Sequence, residues 1–278
     1  MYYKIKSVLF TIVLHTFLVS VAISCVFPLA WMVNASFKTE QEFRQDHGLK
    51  PAKSLYLDNY KDALIEGNLF RAFLNSVAYT FITVFGIVII SSLAAYSFSR
   101  LDFPFKNVVF FTFLAAMMIP VPAGFVPVYV LLNKIGMANP TGYVLSMINM
   151  GLSLSIYMLK TFFDQLPKDL EDAARIDGCG RLQIWWNVAL PLTLPALGVV
   201  IIFNSLNVWN EFVLASLLFT DDSLMPLQVK LLEFTSGNVI QHTLLMASLT
   251  IAVLPIILLY LKMQKQIIKG ITTGALVG

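Results

Sequence analysis

Six long apolar stretches constrain the fold of this chain more than any other feature of its sequence. They cover about residues 7–33, 73–98, 107–132, 143–162, 192–219 and 243–262. Each approaches or exceeds the roughly 20 residues that a helix needs to cross a bilayer. Only 13% of the residues are charged, against about 25% in soluble domains. We therefore predict an all-α integral membrane protein, a single domain over residues 1–278 with six transmembrane helices.

The distribution of basic residues predicts the orientation of these helices. An even number of crossings places both termini on the same side of the membrane. Close to the apolar stretches, Lys and Arg are more frequent on that side, which is the pattern of cytoplasmic segments. Both termini, the polar segment at about 163–191 and the tail at 263–278 are therefore predicted to be cytoplasmic. The net charge of +3 reflects this topology, and no basic patch favours binding of nucleic acid.

The polar break between the fourth and fifth apolar stretches carries a helical pattern. Four apolar residues recur at helical spacing and predict one apolar face: Leu166, Leu170, Ala173 and Ala174. Glu171 precedes Arg175 by four positions, the favourable order for a helical ion pair, and Gly178 predicts the end of the helix. A helix this short and polar cannot bury itself in lipid. We therefore interpret it as a docking helix that a partner protein covers.

Prolines interrupt the third apolar stretch. Pro120, Pro122 and Pro127 lie within it, and each removes a backbone donor from a membrane helix. A simple kink explains these prolines, and so does a helix that is broken beside a translocation path. The sequence leaves both interpretations open.

The fifth stretch carries the best candidate for a substrate site. Asn204, Asn207 and Glu211 recur at i, i+3 and i+7, which predicts one polar stripe, and Trp209 and Asn210 flank it. A charge inside a membrane helix is costly, by about 2.5–3.5 kcal/mol, unless it faces a polar interior. Amides, a carboxylate and an indole suit the hydroxyls and the C–H face of a sugar. We favour this cavity-lining interpretation over a cluster of hydrogen bonds between helices.

A second polar stripe lies in the fourth stretch. Ser146, Asn149 and Ser153 recur there at i, i+3 and i+7. Polar residues on one face often join membrane helices by hydrogen bonds, and contact with a substrate is the alternative. Asn149 is therefore kept as a candidate residue of the substrate pathway.

Motifs for catalysis are absent from the sequence. It has no Gly-rich phosphate loop that ends in Lys-Ser or Lys-Thr, no His/Cys cluster with metal-ligand spacing and no nucleophilic serine motif. Its three histidines are scattered along the chain. We therefore predict a non-catalytic chain that carries no cofactor of its own.

The docking helix resembles the cytoplasmic EAA loop of permease subunits in bacterial ABC importers. That pattern is Glu-Ala-Ala, three residues, Gly, nine residues, an aliphatic residue, one residue and Leu-Pro. Here Asp172-Ala173-Ala174, Gly178, Val188 and Leu190-Pro191 keep every spacing. Asp172 replaces the glutamate, and the adjacent Glu171 offers a second acidic side chain for the same contact.

Three further segments resemble the maltose-type carbohydrate-uptake permeases, and in particular their second six-span subunit. They are Ala95-Tyr96-Ser97-Phe98-Ser99-Arg100-Leu101 with Phe103-Pro104, then Trp209-Asn210-Glu211-Phe212, and the tail Gly270-Ile271-Thr272-Thr273-Gly274-Ala275. The resemblance covers nearly the whole chain and adds a cytoplasmic coupling helix, between spans four and five, to the expected six-helix fold.

This resemblance also implies partners and contact residues. The partners are a second homologous permease subunit, two ATPase subunits that bind ATP and Mg, and an extracytoplasmic sugar-binding protein, all at a bacterial cytoplasmic membrane. The residues implied in coupling to the ATPase are Glu171, Asp172, Ala173, Ala174, Arg175, Asp177, Gly178, Leu190 and Pro191. Composition alone predicts a disordered tail, whereas the resemblance implies a second ATPase contact at Thr272, Thr273 and Gly274.

The implied function is ATP-driven import of a neutral sugar, with an oligosaccharide favoured. Glycerol phosphate esters or polyols are the alternative substrates, and the lack of basic residues at mid-span favours a neutral one. A stand-alone ion-coupled transporter would need titratable residues at membrane depth, and only Glu211 and His15 offer them. In the expected mechanism the ATPases move the helix at 168–178 as a rigid lever, and the connected spans, especially the fifth, rock with it.

Overall fold

Helices are the only regular elements in the part of the chain that the structure describes. The computed structural model describes residues 2–235 and 241–275. They form two compact units, each of which is described below by itself. The first comprises Met1–Phe70 and Leu231–Leu254, and the second comprises Arg71–Lys230 and Pro255–Gly278.

The helices follow one another with short connections. In chain order they are α1 (Tyr2–Ser36), α2 (Glu40–Asp46), α3 (Asp58–Leu64), α4 (Leu69–Arg100), α5 (Lys106–Ala116), α6 (Val121–Lys134), α7 (Pro140–Gln165), α8 (Lys168–Ile176), α9 (Arg181–Ile184), α10 (Leu190–Leu192), α11 (Leu194–Asn210), α12 (Val213–Leu218), α13 (Leu227–Glu233) and α14 (His242–Ala275). A π-helical turn, Trp185–Ala189, joins α9 to α10, and a 3₁₀ turn, Asp222–Leu224, precedes α13.

Four helices in the described ranges are long and apolar enough to cross a membrane. They are residues Phe10–Ser36 of α1, the whole of α4 and α7, and residues His242–Gln264 of α14. A fifth crossing results if Arg181–Leu192 and Leu194–Asn210, which are bent by 80° to each other, count as one span. Length and composition thus give four or five crossings, and the predicted sixth depends on the third apolar stretch.

That third stretch is two helices rather than one. Helix α5 ends at Ala116, and α6 begins after Pro120, whose backbone is extended with φ −63° and ψ 123°. Proline lacks the N–H that a continuous helix would use here and disfavours helical geometry in the residue before it. Pro127 lies inside α6 without ending it. The prolines therefore break the helix at one point rather than only bending it, and a break was one of the two interpretations left open by the sequence.

A close approach of α4, α7 and α11 forms the centre of the second unit. A Cβ atom at Gly151 would lie 2.4 Å from Cδ1 of Ile87 and 2.5 Å from Oδ1 of Asn204. Glycine allows the three helices to approach at this depth, as small residues do between membrane helices. A second cluster of buried side chains joins α6, α7, α11, α12 and α13, and it includes Tyr143, Leu214 and Phe219.

In the first unit, polar contacts hold the segment that follows α1. The Asn59 amide in α3 donates to the carbonyl oxygens of Ser36 (2.8 Å) and Lys38 (2.7 Å). The ammonium of Lys38, which is fully buried, pairs with Asp46 at 2.6 Å. A buried charge is tolerated only with such a partner. The charged segment between α1 and α4 is therefore an ordered substructure.

The start of α14 is capped by α2. One carboxylate oxygen of Glu40 accepts from the Thr243 backbone N–H at 3.2 Å, and the other lies 3.0 Å from Nδ1 of His242. The His242 ring stacks on Phe43, with ring centroids 5.2 Å apart. A carboxylate at a helix N-terminus satisfies free N–H groups and is favoured by the helix dipole.

Candidate functional site

The predicted docking helix is present as α8. It begins after Pro167 and carries Asp169 and Glu171 in its first turn and Arg175 in its last. This order of charges matches the helix dipole. The chain leaves the helix at Gly178, whose φ of +84° lies in the left-handed region, and the Cys179 N–H bonds back to the Ala174 carbonyl oxygen at 3.0 Å. Local sequence therefore sets both ends of α8.

The two faces of α8 have different surroundings. Glu171 and Ala174 are buried against the chain itself. The opposite face exposes Leu170 and Ile176, and Ala173 is exposed between them. The apolar face predicted from the sequence is therefore divided, because Leu166 and Ala174 pack on the core of the second unit whereas Leu170 and Ala173 do not. The exposed side is the surface on which a partner could lie.

The other predicted coupling residues are mostly accessible. Exposed positions are Asp172, Arg175, Asp177, Gly178 and Pro191, while Leu190 is half-buried. The Asp172 carboxylate accepts from Arg175 at 2.8 Å in an exposed pair. The predicted ion pair of Arg175 with Glu171 has a distance of 4.0 Å, because Glu171 is turned inward. The guanidinium of Arg175 contacts Asp172 more closely instead.

Glu171 makes its close contacts with α4, on the buried side of α8. Its Oε1 accepts from Nε of Arg100 at 2.6 Å, and its Oε2 accepts from the Tyr96 hydroxyl at 3.0 Å. Nη2 of Arg100 also donates to the carbonyl oxygen of Leu166, at the end of α7, at 2.8 Å. We call these four residues, Tyr96, Arg100, Leu166 and Glu171, the α8 anchor. No periodicity in the sequence predicts it, although one of the resembling segments contains both Tyr96 and Arg100.

A polar cavity of about 300 Å³ adjoins the α8 anchor. Its lining comes from the end of α4, the following loop and α8: Ser99, Arg100, Asp102, Lys106, Lys168, Glu171, Asp172 and Arg175. Three acidic and four basic side chains line it, so the cavity has no strong preference for one sign of charge. In the described residues, no three His, Cys, Asp or Glu side chains are grouped to hold a metal ion.

The connection from α8 to α11 is bent. It passes through Gly178 and the π-helical turn, in which the Leu190 N–H bonds to the Trp185 carbonyl oxygen. It then turns by 80° at Thr193, whose hydroxyl donates to the Ala189 and Leu190 carbonyl oxygens. Pro191 and Pro195 offer no N–H at this point, and the backbone N–H of Thr193 bonds to the same two carbonyl oxygens, at 3.2 and 3.1 Å.

The stripe predicted in the fifth apolar stretch is not assembled as expected. Helix α11 ends at Asn210, and Glu211 starts a break in the chain. The Glu211 carboxylate accepts from the backbone N–H groups of Leu214 (2.7 Å) and Ala215 (3.1 Å) and thereby caps α12. Asn204 is buried and donates to Ser155 Oγ on α7 at 3.0 Å. For these two residues the geometry supports the alternative interpretation, in which hydrogen bonds join helices.

The remaining candidates point in different directions. Asn207 and Asn210 are exposed on the same face of α11 as Phe203, and Asn149 is exposed on α7. Trp209 is buried, meets Phe73 edge-on at 5.8 Å between ring centroids, and lines an apolar cavity of about 410 Å³ between α4, α11 and α14. The indole is therefore separated from the asparagine side chains, and the predicted sugar site is reduced to the exposed amides.

The tail residues extend the last helix. Thr272, Thr273 and Gly274 lie in α14, which continues to Ala275. The disordered end predicted from composition is therefore wrong for these positions. Their side chains lie outside the described part of the structure, so the predicted second ATPase contact stays a prediction.

Known proteins are similar to this chain in both sequence and fold. The family model described as "Binding-protein-dependent transport system inner membrane component" matches residues 63–273. The chain is 33% identical to the "Probable starch degradation products transport system permease protein AmyC" of Thermoanaerobacterium thermosulfurigenes, over 86% of this chain and 87% of that protein. It is 34% identical to the "Trehalose/maltose transport system permease protein MalG" of Thermococcus litoralis, over 92% and 93%.

One solved structure shows the same fold. It belongs to a bacterial ABC transporter involved in the import of the acidic polysaccharide alginate. The TM-score is 0.81 at 23% identity, and the match covers 92% of this chain and 96% of the other. The likeness at this identity concerns the arrangement of helices rather than the substrate.

Proposed function

We propose a function that proceeds from one premise: this chain belongs to the family of binding-protein-dependent transport system inner membrane components. It is therefore a non-catalytic permease subunit of an ABC transporter. We propose that its cargo is a neutral sugar, most suitably an oligosaccharide. The support is that two relatives with about one-third identity are named for starch degradation products and for trehalose and maltose.

We further propose that α8 is the coupling helix of this permease. The observation that carries this proposal is a short helix with the spacing of the EAA pattern that is anchored on one face and exposed on the other. The exposed face combines Leu170, Ala173 and Ile176 with the charges of Asp172 and Arg175. Such a mixed surface suits docking into a cleft of an ATPase subunit, because apolar area gives affinity and charges give orientation.

The proposed assembly follows from this role. It contains a second permease subunit, two ATPase subunits on the side of α8, and a sugar-binding protein on the opposite, extracytoplasmic side. In the proposed topology the broken pair α5 and α6 forms the sixth crossing and both termini are cytoplasmic. The exposed amides of Asn149, Asn207 and Asn210 are the proposed contacts of the translocation path, since hydroxyl groups need both donors and acceptors.

The test of the coupling role is a change of size at Ala173. This side chain is exposed, so Ala173→Phe should leave the fold intact and obstruct the ATPase. We expect that the ATPase no longer co-purifies with the permease pair. The rate of sugar-stimulated ATP hydrolysis should fall by about tenfold or more. Ala173→Ser, which adds a single atom at the same position, is the matched control and should keep both.

The readouts are membrane insertion, pull-down of the ATPase and ATP hydrolysis in proteoliposomes with maltotriose and the cognate binding protein. Normal assembly and stimulation in Ala173→Phe would show that α8 is not the docking surface. A wild-type complex that maltotriose and other neutral oligosaccharides fail to stimulate would reject the proposed substrate class while leaving the docking result unaffected.

A further inference from the structure

We infer that the α8 anchor transmits the movement of the coupling helix directly into α4, with Arg100 and Glu171 as its positioning pair. This inference rests on the proposed function, because it assumes that α8 is the helix that an ATPase moves. It differs from the mechanism expected from the sequence, in which the movement of α8 passes mainly along the chain into the fifth span.

The first argument is the completeness of the contacts. The side chains of Arg100 and Glu171 are 5% and 4% exposed, and both carboxylate oxygens of Glu171 accept hydrogen bonds from α4. A desolvated pair of this kind is little screened by solvent ions. Separating it would leave two uncompensated buried charges. Over small displacements, α8 and the end of α4 should therefore move together.

The second argument is the planar fork of the guanidinium. Nε of Arg100 holds Glu171 on α8, while Nη2 holds the Leu166 carbonyl oxygen at the end of α7. A parallel contact runs from Ser99 Oγ to Asp164 Oδ1 at 2.6 Å. Three helices thus meet at one rigid, permanently charged group, and a lysine offers no such fork.

The third argument comes from the alternative route. Between α8 and α11 lie Gly178 in left-handed geometry, a π-helical turn and an 80° bend. Glycine has the greatest backbone freedom of any residue, and π-helical turns are irregular points in a helix. A displacement along this route can be absorbed by changes in backbone angles, whereas the α8 anchor offers no such freedom.

The experiment measures whether α8 and α4 move as one body. Spin labels are placed at Leu74 in α4 and Asp169 in α8, both exposed and neither on the proposed docking face, after Cys25 and Cys179 are replaced by serine. Pulsed electron–electron double resonance spectroscopy then gives the distance between the two labels in the assembled complex, with and without MgATP and vanadate. We expect one narrow distance distribution that nucleotide does not change.

Arg100→Lys is the decisive variant, because it keeps the charge and removes the fork. We expect a broadened distance distribution that shifts with MgATP and vanadate, together with a loss of stimulated ATP hydrolysis of about tenfold, within the range reported for coupling residues. Co-purification with the ATPase should stay within about twofold of wild type. Arg181→Lys, which changes an exposed arginine in α9, is the control and should leave the distribution narrow.

A second set of variants keeps the inference testable if Arg100→Lys folds poorly. Tyr96→Phe removes a single hydroxyl donor to Glu171 and should broaden the distribution to a lesser degree. The combined variant Arg100→Lys, Glu171→Gln should behave like the worse single change, since the two act as one unit.

Several results would overturn the inference. These are an unchanged distance distribution in Arg100→Lys, a nucleotide-dependent distance in the unmodified anchor, or single effects that multiply in the combined variant. Each can be told apart from failure of the proposed function, in which Ala173→Phe would still bind the ATPase and be stimulated normally.

Discussion

At the scale of single residues, Glu171 and Asp172 are adjacent carboxylates with opposite surroundings. Glu171 is 3% exposed and bonded to α4, whereas Asp172 is exposed and accepts a hydrogen bond from Arg175. The sequence left open which of the two contacts an ATPase. Because a buried and fully bonded carboxylate has no free face for a partner, we propose Asp172 for that contact and Glu171 for the α8 anchor.

Substitutions at the two acidic positions should separate stability from assembly. Glu171→Ala leaves Arg100 charged, buried and unpaired, which should cost about 3–5 kcal/mol of folding free energy. Asp172→Asn should change stability by less than about 0.5 kcal/mol, as exposed substitutions usually do, but weaken ATPase binding. Thermal unfolding in detergent and quantitative pull-down measure the two effects. A stable Glu171→Ala protein, or an Asp172→Asn protein that binds normally, would contradict this division of roles.

Glu40 gives the first unit a defined response to acid. Partial burial raises the pKa of this carboxyl, but hydrogen bonds from His242, Thr243 and Arg44 outweigh burial and hold the pKa below its ordinary value of 4.5. Because the folded pKa is the lower one, the cap on α14 stabilises fully above pH 4.5. This stabilisation is lost as the pH falls through the folded value.

We therefore expect acidification to open the N-terminus of α14. Hydrogen exchange of the backbone amides at 243–248, corrected for intrinsic rates, should accelerate below pH 4.5. In Glu40→Gln the exchange should already be faster at neutral pH and should lose this pH dependence. Glu42→Gln is the matched control, since Glu42 lies on the same helix but accepts from the Lys53 N–H. Equal pH profiles in wild type and Glu40→Gln would refute the assignment.

At the scale of elements, the break between α11 and α12 replaces the continuous fifth span expected from the sequence. The helical pattern of Asn204, Asn207 and Glu211 suggested one stripe, but Glu211 bonds the N–H groups of the next helix. A carboxylate that follows a helix and precedes another can cap the second, as Asp and Asn do at N-caps. Periodicity cannot reveal this, because the same spacing arises whether or not the helix continues.

Because α11 ends before Glu211, substitutions at Glu211 and at Asn207 should have different effects. Glu211→Ala removes the acceptor for two backbone donors and should destabilise α12 by about 1–2 kcal/mol, like the loss of an N-cap. Asn207→Ala removes an exposed amide and should leave stability unchanged while lowering sugar uptake. Hydrogen exchange of 213–218 and radiolabelled uptake in vesicles measure the two outcomes. Unchanged uptake in Asn207→Ala would remove that residue from the translocation path.

Local sequence predicted some elements well and others poorly, for physical reasons. Helix α8 was predictable because Pro167, the charge order and Gly178 lie within the segment itself. The break at Pro120 was signalled by proline, although kink and break could not be distinguished. The contact of Arg100 with Glu171 joins positions 71 residues apart, and no local pattern encodes such a partner. The hydrogen bond of Asn204 to Ser155 joins positions 49 residues apart, so no local pattern predicts it either.

At the scale of the whole molecule, the surface of the long helices is markedly apolar. Side chains of α1 from Phe10 to Ala30 are exposed within their own unit, and none of the most apolar window of that helix is buried. A helix that is apolar all round needs a lipid or protein environment. The membrane placement given by the family thus agrees with the exposed surface as well as with hydropathy.

The turn after α8 requires glycine because of its left-handed backbone, and not because a larger side chain would clash with a neighbour. No atom lies within 4 Å of the position that a Cβ on Gly178 would occupy, yet φ is +84°. An L-residue would therefore meet empty space and still be strained, at a cost of about 1–2 kcal/mol. The mirror-image D-residue would fit the same backbone without strain. The demand for glycine at this point thus reflects the chirality of the other nineteen amino acids, and would persist even if no partner ever touched the turn.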